Sequence, residues 1–311
     1  MKKILVLALV IALAVVVAAC GNDTNVGNVA QNVVDQVTDA AQDAVEAAGE
    51  VLDEVEDVVS EAVEDVEDAV HDVVLGQGVQ SLEDLSTAVI GVQRDTTGHI
   101  FVDENFPNAT VDAFPQGADA IMALLAGSID AVVIDSLPAA RFIFANQGRL
   151  RLLEGELTAE YYGIAFPLGS EYTAKFDAAI NELRANGTMD AIYDYWVNEN
   201  LEASRYVSPP GTTHPNGTLI MATSAGFEPF EFWEGNQIVG FDVCLSNAIG
   251  DIIGYQIEIM DMEFGSIILA VQAGVADFGM AGMTIRDDRR EFVDFTQGYF
   301  NASQVVIVRA D

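Results

Sequence analysis

Cysteine is scarce in this 311-residue chain: there are two, Cys20 and Cys244. Two thiols permit at most one internal disulfide, which excludes a disulfide-built scaffold. No His or other base stands near Cys244, so it reads as a buried, inert thiol rather than a nucleophile. Histidine is nearly as rare, with three residues. No metal-ligand spacing, glycine-rich phosphate loop or nucleophile–base pair emerges, so neither a metal nor a cofactor is expected. Basic residues number 13 against 49 acidic ones, a formal charge of −36. A phosphate-binding face needs Lys and Arg in excess, which excludes nucleic acid as a partner. Such a surface also repels anionic lipid and favours solubility.

Long hydrophobic runs are absent except at the start. Lys2 and Lys3 precede an apolar run from Ile4 to Ala19. A charged start, a short apolar core and a small-residue exit describe an export signal over 1–19. The run is shorter than the roughly 20 residues that a spanning helix needs. A single membrane anchor is the competing reading. The residues Val17-Ala18-Ala19-Cys20-Gly21 resemble a bacterial lipobox. That resemblance implies cleavage before Cys20, lipid attachment there, and an extracytoplasmic protein held at the membrane. Each buried CH₂ of the acyl chains would contribute about 0.8 kcal/mol of anchoring.

Residues 20–80 form a separate acidic segment. From Gly21 to Gln80 there is no Lys or Arg, and 32–74 is dominated by Val, Ala, Asp and Glu. Apolar residues recur at Ala41, Val45, Ala48, Leu52, Val55, Val59, Ala62, Val66, Ala69 and Val73. Steps of four and three make a heptad stripe, the pattern through which helices self-associate. The opposite face is negative throughout, so no i,i+4 ion pairs offset its repulsion. Two readings stay open: a helical stalk, or a low-complexity spacer that is helical only in part.

Beyond Gly76-Gln77-Gly78 the composition turns globular. Strand-like runs at 88–93, 109–114 and 129–134 alternate with helix-like runs opening at Thr96-Thr97 and spanning 117–125 and 137–146. A strand at 161–167 and helices at 171–185 and 189–198 follow. The segment 205–217, rich in Pro, Gly and small polar residues, reads as a connector. A second series then begins, with strands at 218–223, 256–260, 276–280 and 303–308. Its helices fall at 243–253, at 266–273 and from Asp287. This alternation predicts an α/β fold with largely parallel sheets, one unit on each side of the connector.

The second series carries Ala222-Thr223-Ser224-Ala225-Gly226-Phe227-Glu228-Pro229-Phe230-Glu231-Phe232 and Gly240-Phe241-Asp242-Val243. It continues with Ala281-Gly282-Met283-Thr284-Ile285, Arg289 and Val293-Asp294-Phe295. Together these resemble the first lobe of the amino-acid-binding proteins of ABC importers. Residues 81–163 resemble the second lobe through Ser81-Leu82-Glu83-Asp84-Leu85, Gly91-Val92-Gln93 with Thr96-Thr97, and Ile129-Asp130-Ala131-Val132-Val133-Ile134-Asp135. Residues 164–204 look like the helical part that re-enters the first lobe, which 218–311 would complete. The lobes stand in reversed order, so the chain resembles a circular permutant of a two-lobed periplasmic binding fold. One interlobe crossing, at 160–165, is expected to be covalent, and the other to depend on docking of the C-terminal strand.

The resemblance implies capture of a free amino acid between two lobes and its delivery to an ABC permease. Arg289 matches the family's carboxylate-binding arginine, whose planar fork suits a bidentate pair. Thr96 and Thr97, opening a helix, would hold the same carboxylate from the other lobe. Asp135, ending an apolar strand, matches the ammonium-binding acid, with the Gly282 carbonyl and the Thr284 hydroxyl completing its shell. Phe227 and Phe264 match aromatic walls. Some relatives that bind cationic side chains carry an acid at the position of Ser224. Serine there argues against such a ligand, and Gln93 with Ser224 suits a neutral polar one. Blander readings stand beside these: Arg289 in a solvated charge run, Asp135 and Thr96-Thr97 as helix caps, and the phenylalanines as core. Two other functions compete. One is a cleft enzyme resembling cyclohexadienyl dehydratase, with Glu228 as its acid. The other is a ligand sensor or surface adhesin.

Overall fold

The structure, a computed structural model, describes residues 78–200, 202 and 205–310. The export signal, Cys20 and the heptad segment lie outside the described residues. In chain order the first elements are β1 (Val89–Gln93), α1 (Thr97–Asn105), β2 (Thr110–Phe114), α2 (Gly117–Leu125), β3 (Ala131–Asp135), α3 (Ser136–Ala145) and β4 (Leu150–Leu152). Next come β5 (Glu160–Tyr162), β6 (Ala165–Pro167), α4 (Glu171–Ala185) and α5 (Thr188–Trp196). After the connector follow β7 (Thr218–Thr223), the hairpin β8 (Phe232–Glu234) and β9 (Gln237–Val239), α6 (Phe241–Ile253) and β10 (Gln256–Asp261). The chain closes with α7 (Ile267–Gln272), β11 (Phe278–Gly279), α8 (Asp287–Arg290), β12 (Val293–Phe295), β13 (Phe300–Ala302) and β14 (Gln304–Arg309). Among the described residues no helix is long and apolar enough to cross a membrane.

Two five-stranded sheets share one plan, ordered β2-β1-β3-β14-β4 and β10-β7-β11-β6-β12. In each, the first three strands are parallel and the fourth, β14 or β6, runs antiparallel to both neighbours. Alternating side chains feed a core on each face, because successive residues of a strand point opposite ways. Ile90, Val92, Val133, Val306 and Val308 pack on one face of the first sheet. Val132, Ile134, Val305 and Ile307 pack on the other. The second sheet divides likewise, with Leu219 and Met221 on one side and Ile220 and Ala222 on the other.

Two expectations are corrected by the sheet order. Residues 218–311 do not all belong to one lobe, because β14 lies inside the first sheet between β3 and β4. Nor does one crossing depend on docking alone. The chain passes covalently from the second sheet to the first through β13 into β14, and back through β5 into β6. The two crossings pair with each other as an antiparallel ribbon, Phe300 with Tyr162 and Ala302 with Glu160. The single strand expected at 161–167 is therefore two, since the chain changes sheets at Gly163-Ile164. At the outer edge of the first sheet, Arg151 donates to the Val79 carbonyl and to the Gln80 side chain, at 3.3 and 2.6 Å. The Ala310 N–H bonds the Arg149 carbonyl nearby.

The connector is tied to α6. His214 Nε2 lies 2.8 Å from one oxygen of Asp251, and Tyr206 donates to the other at 2.7 Å. Gly240, at φ +135°, brings the start of α6 against the Phe230 backbone; a Cβ there would lie 2.1 Å from the Phe230 carbonyl oxygen. The Asp242 N–H takes that carbonyl at 3.0 Å. Asp242 is thereby fixed beside Glu231, a juxtaposition that matters for the cleft.

Candidate functional site

The carboxyl ends of β1, β3, β7 and β11 face one cleft between the two sheets, the edge at which open α/β sheets gather ligands. About 320 Å³ there is free of protein atoms, part of it open to solvent. All ten residues singled out from the sequence line it. One lobe supplies Gln93, Thr96, Thr97 and Asp135; the other supplies Ser224, Phe227, Phe264, Gly282, Thr284 and Arg289. Glu231 and Ala281 complete the wall.

The lobes meet around this cavity. Arg289 donates from Nη1 to the Thr284 carbonyl at 2.9 Å and from Nη2 to the Asp95 carbonyl of the opposite lobe at 3.2 Å. Its guanidinium lies 5.3 Å from the ring centre of Phe264. Gly265 leaves room for the Asp95 side chain, whose oxygen would lie 2.1 Å from any Cβ there. At the rim Arg141 pairs with Glu199, lies 3.6 Å from Glu228, and donates to the Trp196 carbonyl at 3.0 Å. Glu228 is half exposed and does not line the cavity, so it is no acid for chemistry inside it.

Arg289 is buried rather than part of a solvated charge run. Asp135 precedes α3 but makes no side-chain cap bond; it accepts the Tyr162 hydroxyl at 2.5 Å instead. Thr96 does cap α1, accepting the His99 N–H at 3.4 Å and donating to the Gln93 carbonyl at 2.7 Å. Cys244 is buried and takes the Trp196 indole N–H at 3.2 Å, and burial pushes its thiol up.

The threonine hydroxyls are used differently from the expectation. Thr97 and Thr284, one from each lobe, donate to the same oxygen of Glu160, at 2.9 and 2.5 Å. Glu160 sits on the crossing strand and is buried. A carboxylate outcompetes neutral acceptors for a hydroxyl, since charge-assisted hydrogen bonds are about twice as strong. Glu160, Tyr162 and Glu231 are the residues that sequence reasoning missed. The available signal was an acid embedded among aromatics, as Glu160-Tyr161-Tyr162 and Phe230-Glu231-Phe232.

Burial sets the electrostatics. Among the described residues, the buried acids and bases are Asp135, Glu160, Glu231, Asp242 and Arg289. Four are acids and one is a base; Asp135, Glu231 and Arg289 line the cavity, while Glu160 and Asp242 lie behind its wall. Burial, then the charge of Glu160, pushes the Asp135 carboxyl up to about 7. Asp242 is pushed up to about 6 by burial, partly offset by the Gly282 N–H and the Tyr299 hydroxyl. Glu231 is pushed well above the carboxylate range, by burial and then by Asp242. Burial and Arg286 pull Arg289 down to about 10, against the opposing pull of Asp288, Glu160 and Asp135. Among the described residues no group of His, Cys, Asp or Glu is placed to hold a metal ion.

Asp135, Glu231 and Asp242 bind protons more tightly folded than unfolded. Their contribution to stability is complete below about pH 4 and is lost as pH rises through 6 to 7. The ligand-free chain is expected to melt at a higher temperature at pH 5 than at pH 8. Asp135→Asn should flatten that difference. A thermal scan giving the same slope for the variant would remove Asp135 from the effect.

Residues 219–311 match the family model of bacterial extracellular solute-binding proteins, family 3. The arginine-binding extracellular protein ArtP of Bacillus subtilis is 40% identical over 104 residues, 33% of this chain and 41% of ArtP. The solved arginine-bound form of domain 1 from TmArgBP is 34% identical, covering 30% of this chain and 81% of that one, with a TM-score of 0.26. Over residues 219–311 the chain resembles this solute-binding family. Another relative, the glutamine-binding protein GlnH of Bacillus subtilis, is 31% identical over 129 residues, 40% of this chain and 46% of GlnH. The chain spans less than half the length of these two curated relatives.

Proposed function

We propose that the chain captures a free amino acid with a cationic side chain between its lobes and delivers it to an ABC permease. In this reading Cys20 carries a lipid anchor outside the cytoplasm and the acidic segment holds the domain off the membrane. The lobes are those of the family in permuted order, joined through the connector at 205–217.

The observation that carries the ligand class is the charge balance of the cavity: two buried acids, Asp135 and Glu231, line it with one buried arginine, Arg289. An unpaired buried charge costs several kcal/mol, so each should meet its opposite in the bound state. Arg289 would take the ligand carboxylate together with the free N–H groups at the start of α1. Asp135 and the Gly282 carbonyl would take the ammonium, and Phe227 and Phe264 would flank the side chain. Glu231 remains, and it supplies the acid that Ser224 does not. Its oxygens are buried with only the Asp242 carboxyl in reach, and the Ser224 hydroxyl is buried without a partner. The arginine-binding names of several relatives agree with this assignment.

A thermal-shift screen over the common amino acids tests the reading. Arginine at 100 times its Kd should add about 2.7 kcal/mol of stability. A shift with neutral amino acids alone would remove the cationic assignment, and none with any amino acid would remove capture itself.

A further inference from the structure

Glu231, which lines the cavity, and Asp242 behind it form an acid pair that the recognition of a zwitterion does not use. Glu231 comes from the loop before β8 and Asp242 from the first turn of α6, and the close approach at Gly240 brings them together. Both are fully buried. Asp242 Oδ2 accepts the Gly282 N–H at 3.0 Å and the Tyr299 hydroxyl at 2.8 Å. No N–H or other hydroxyl reaches its Oδ1 or either oxygen of Glu231, and the two carboxyls lie within hydrogen-bond reach of each other.

The charges acting most strongly on Glu231 are negative: Asp242 from α6, Asp135 from β3 across the cavity, and Asp261 from β10. Tyr299 and Tyr162 face the same region as neutral hydroxyls whose protons already go to Asp242 and Asp135. Arg289 lines the cavity, but its own bonds run to the Thr284 and Asp95 carbonyls. Two carboxylates in such a place cannot both ionise without a cation. Asp242, with two donors and a helix N-terminus, is the better anion. Glu231 is the natural holder of the proton.

We infer that Glu231 and Asp242 together bind one proton in the ligand-free chain, and that the cationic side chain of the captured amino acid displaces it. The inference rests on the cationic-ligand reading and adds a second ligand, the proton, to the same site. The exchange balances: the Glu231 O–H breaks, its proton leaves to solvent, and the carboxylate pairs with the arriving guanidinium or ammonium. The charge of the acid wall plus the side chain is the same before and after. Affinity for a cationic amino acid therefore rises with pH while the pair holds its proton, by about tenfold per pH unit per proton displaced. A neutral ligand gains nothing from this exchange.

Calorimetry with the full chain near pH 6, in buffers of different ionisation enthalpy, counts the protons released. Asp135 can shed a proton to any amino acid, so its share must be subtracted. The comparison is arginine on the wild-type chain against citrulline, its neutral counterpart, on Glu231→Gln. Wild type with arginine should release about one proton more than the variant with citrulline. Equal proton counts overturn the inference while leaving capture intact. If the variant does not fold, wild type alone decides: arginine affinity should climb more steeply than citrulline affinity between pH 5 and 7, and parallel slopes overturn the inference. Arginine giving no heat in any buffer and no stabilisation overturns both the inference and the reading beneath it.

Discussion

Replacing Asp135 or Arg289 by alanine is expected to weaken amino-acid binding by roughly 3–5 kcal/mol each. That is a loss of between two and four orders of magnitude in Kd. The size follows from what each truncation leaves behind. Asp135 is buried at the end of β3, and the cavity offers the ligand ammonium no other carboxylate with a donor of its own, Tyr162, to fix its position. Among the described residues Arg289 is the one base lining the cavity, held by carbonyls from both lobes. Removing it strands the ligand carboxylate and also unties Asp95 from the opposing lobe. The Asp135 effect carries a pH signature. Its carboxyl, raised to about 7 in the ligand-free chain, must ionise to pair, so Asp135→Ala should cost more at pH 8 than at pH 5. Calorimetry that finds either variant within a factor of a few of wild type takes that residue out of the site.

How much of this was legible in the sequence differs between levels of structure. The alternation of Leu219 and Met221 with Ile220 and Ala222 announces a strand buried on both faces, because strand period is a local property. The ends of such strands, followed by a helix start, mark the ligand edge of an α/β sheet. Gln93, Thr97, Asp135 and Ser224 stand at or just beyond such ends, but it was the family resemblance that singled them out. What the sequence withheld is tertiary. Residues 303–308 read plainly as a strand, but nothing local says that the chain changes sheets between Phe300 and Gln304. The apolar pattern of β14 fits either core. The hydroxyls of Thr97 and Thr284 were legible as polar groups at the site, but not that Glu160, separated from them by 63 and 124 residues, takes both. Glu231 was hidden for a similar reason. Between two phenylalanines in a loop, an acid looks like the outward residue of an amphipathic run, and burial reverses that meaning.

Glu231→Gln should exchange ligand preference: arginine binding is expected to fall by roughly 3 kcal/mol while citrulline binding holds or improves. The substitution keeps shape and leaves an oxygen to accept from the ligand, so what it removes is charge. In the wild-type chain a neutral side chain meets a protonated Glu231 and a wall that stays as it is without ligand. A cationic side chain ionises Glu231 and gains a paired, desolvated interaction that glutamine cannot return. Specificity is a difference of two affinities, and here one carboxyl acts on the cationic arm alone. The same logic assigns Asp242 a separate part. Its oxygen holds the Gly282 N–H and the Tyr299 hydroxyl, so Asp242→Asn should weaken arginine and citrulline alike by loosening the loop that presents the Gly282 carbonyl. Competition of the two ligands on both variants separates the roles. If Glu231→Gln lowers both affinities by one factor, the residue shapes the pocket without reading the charge of what enters it.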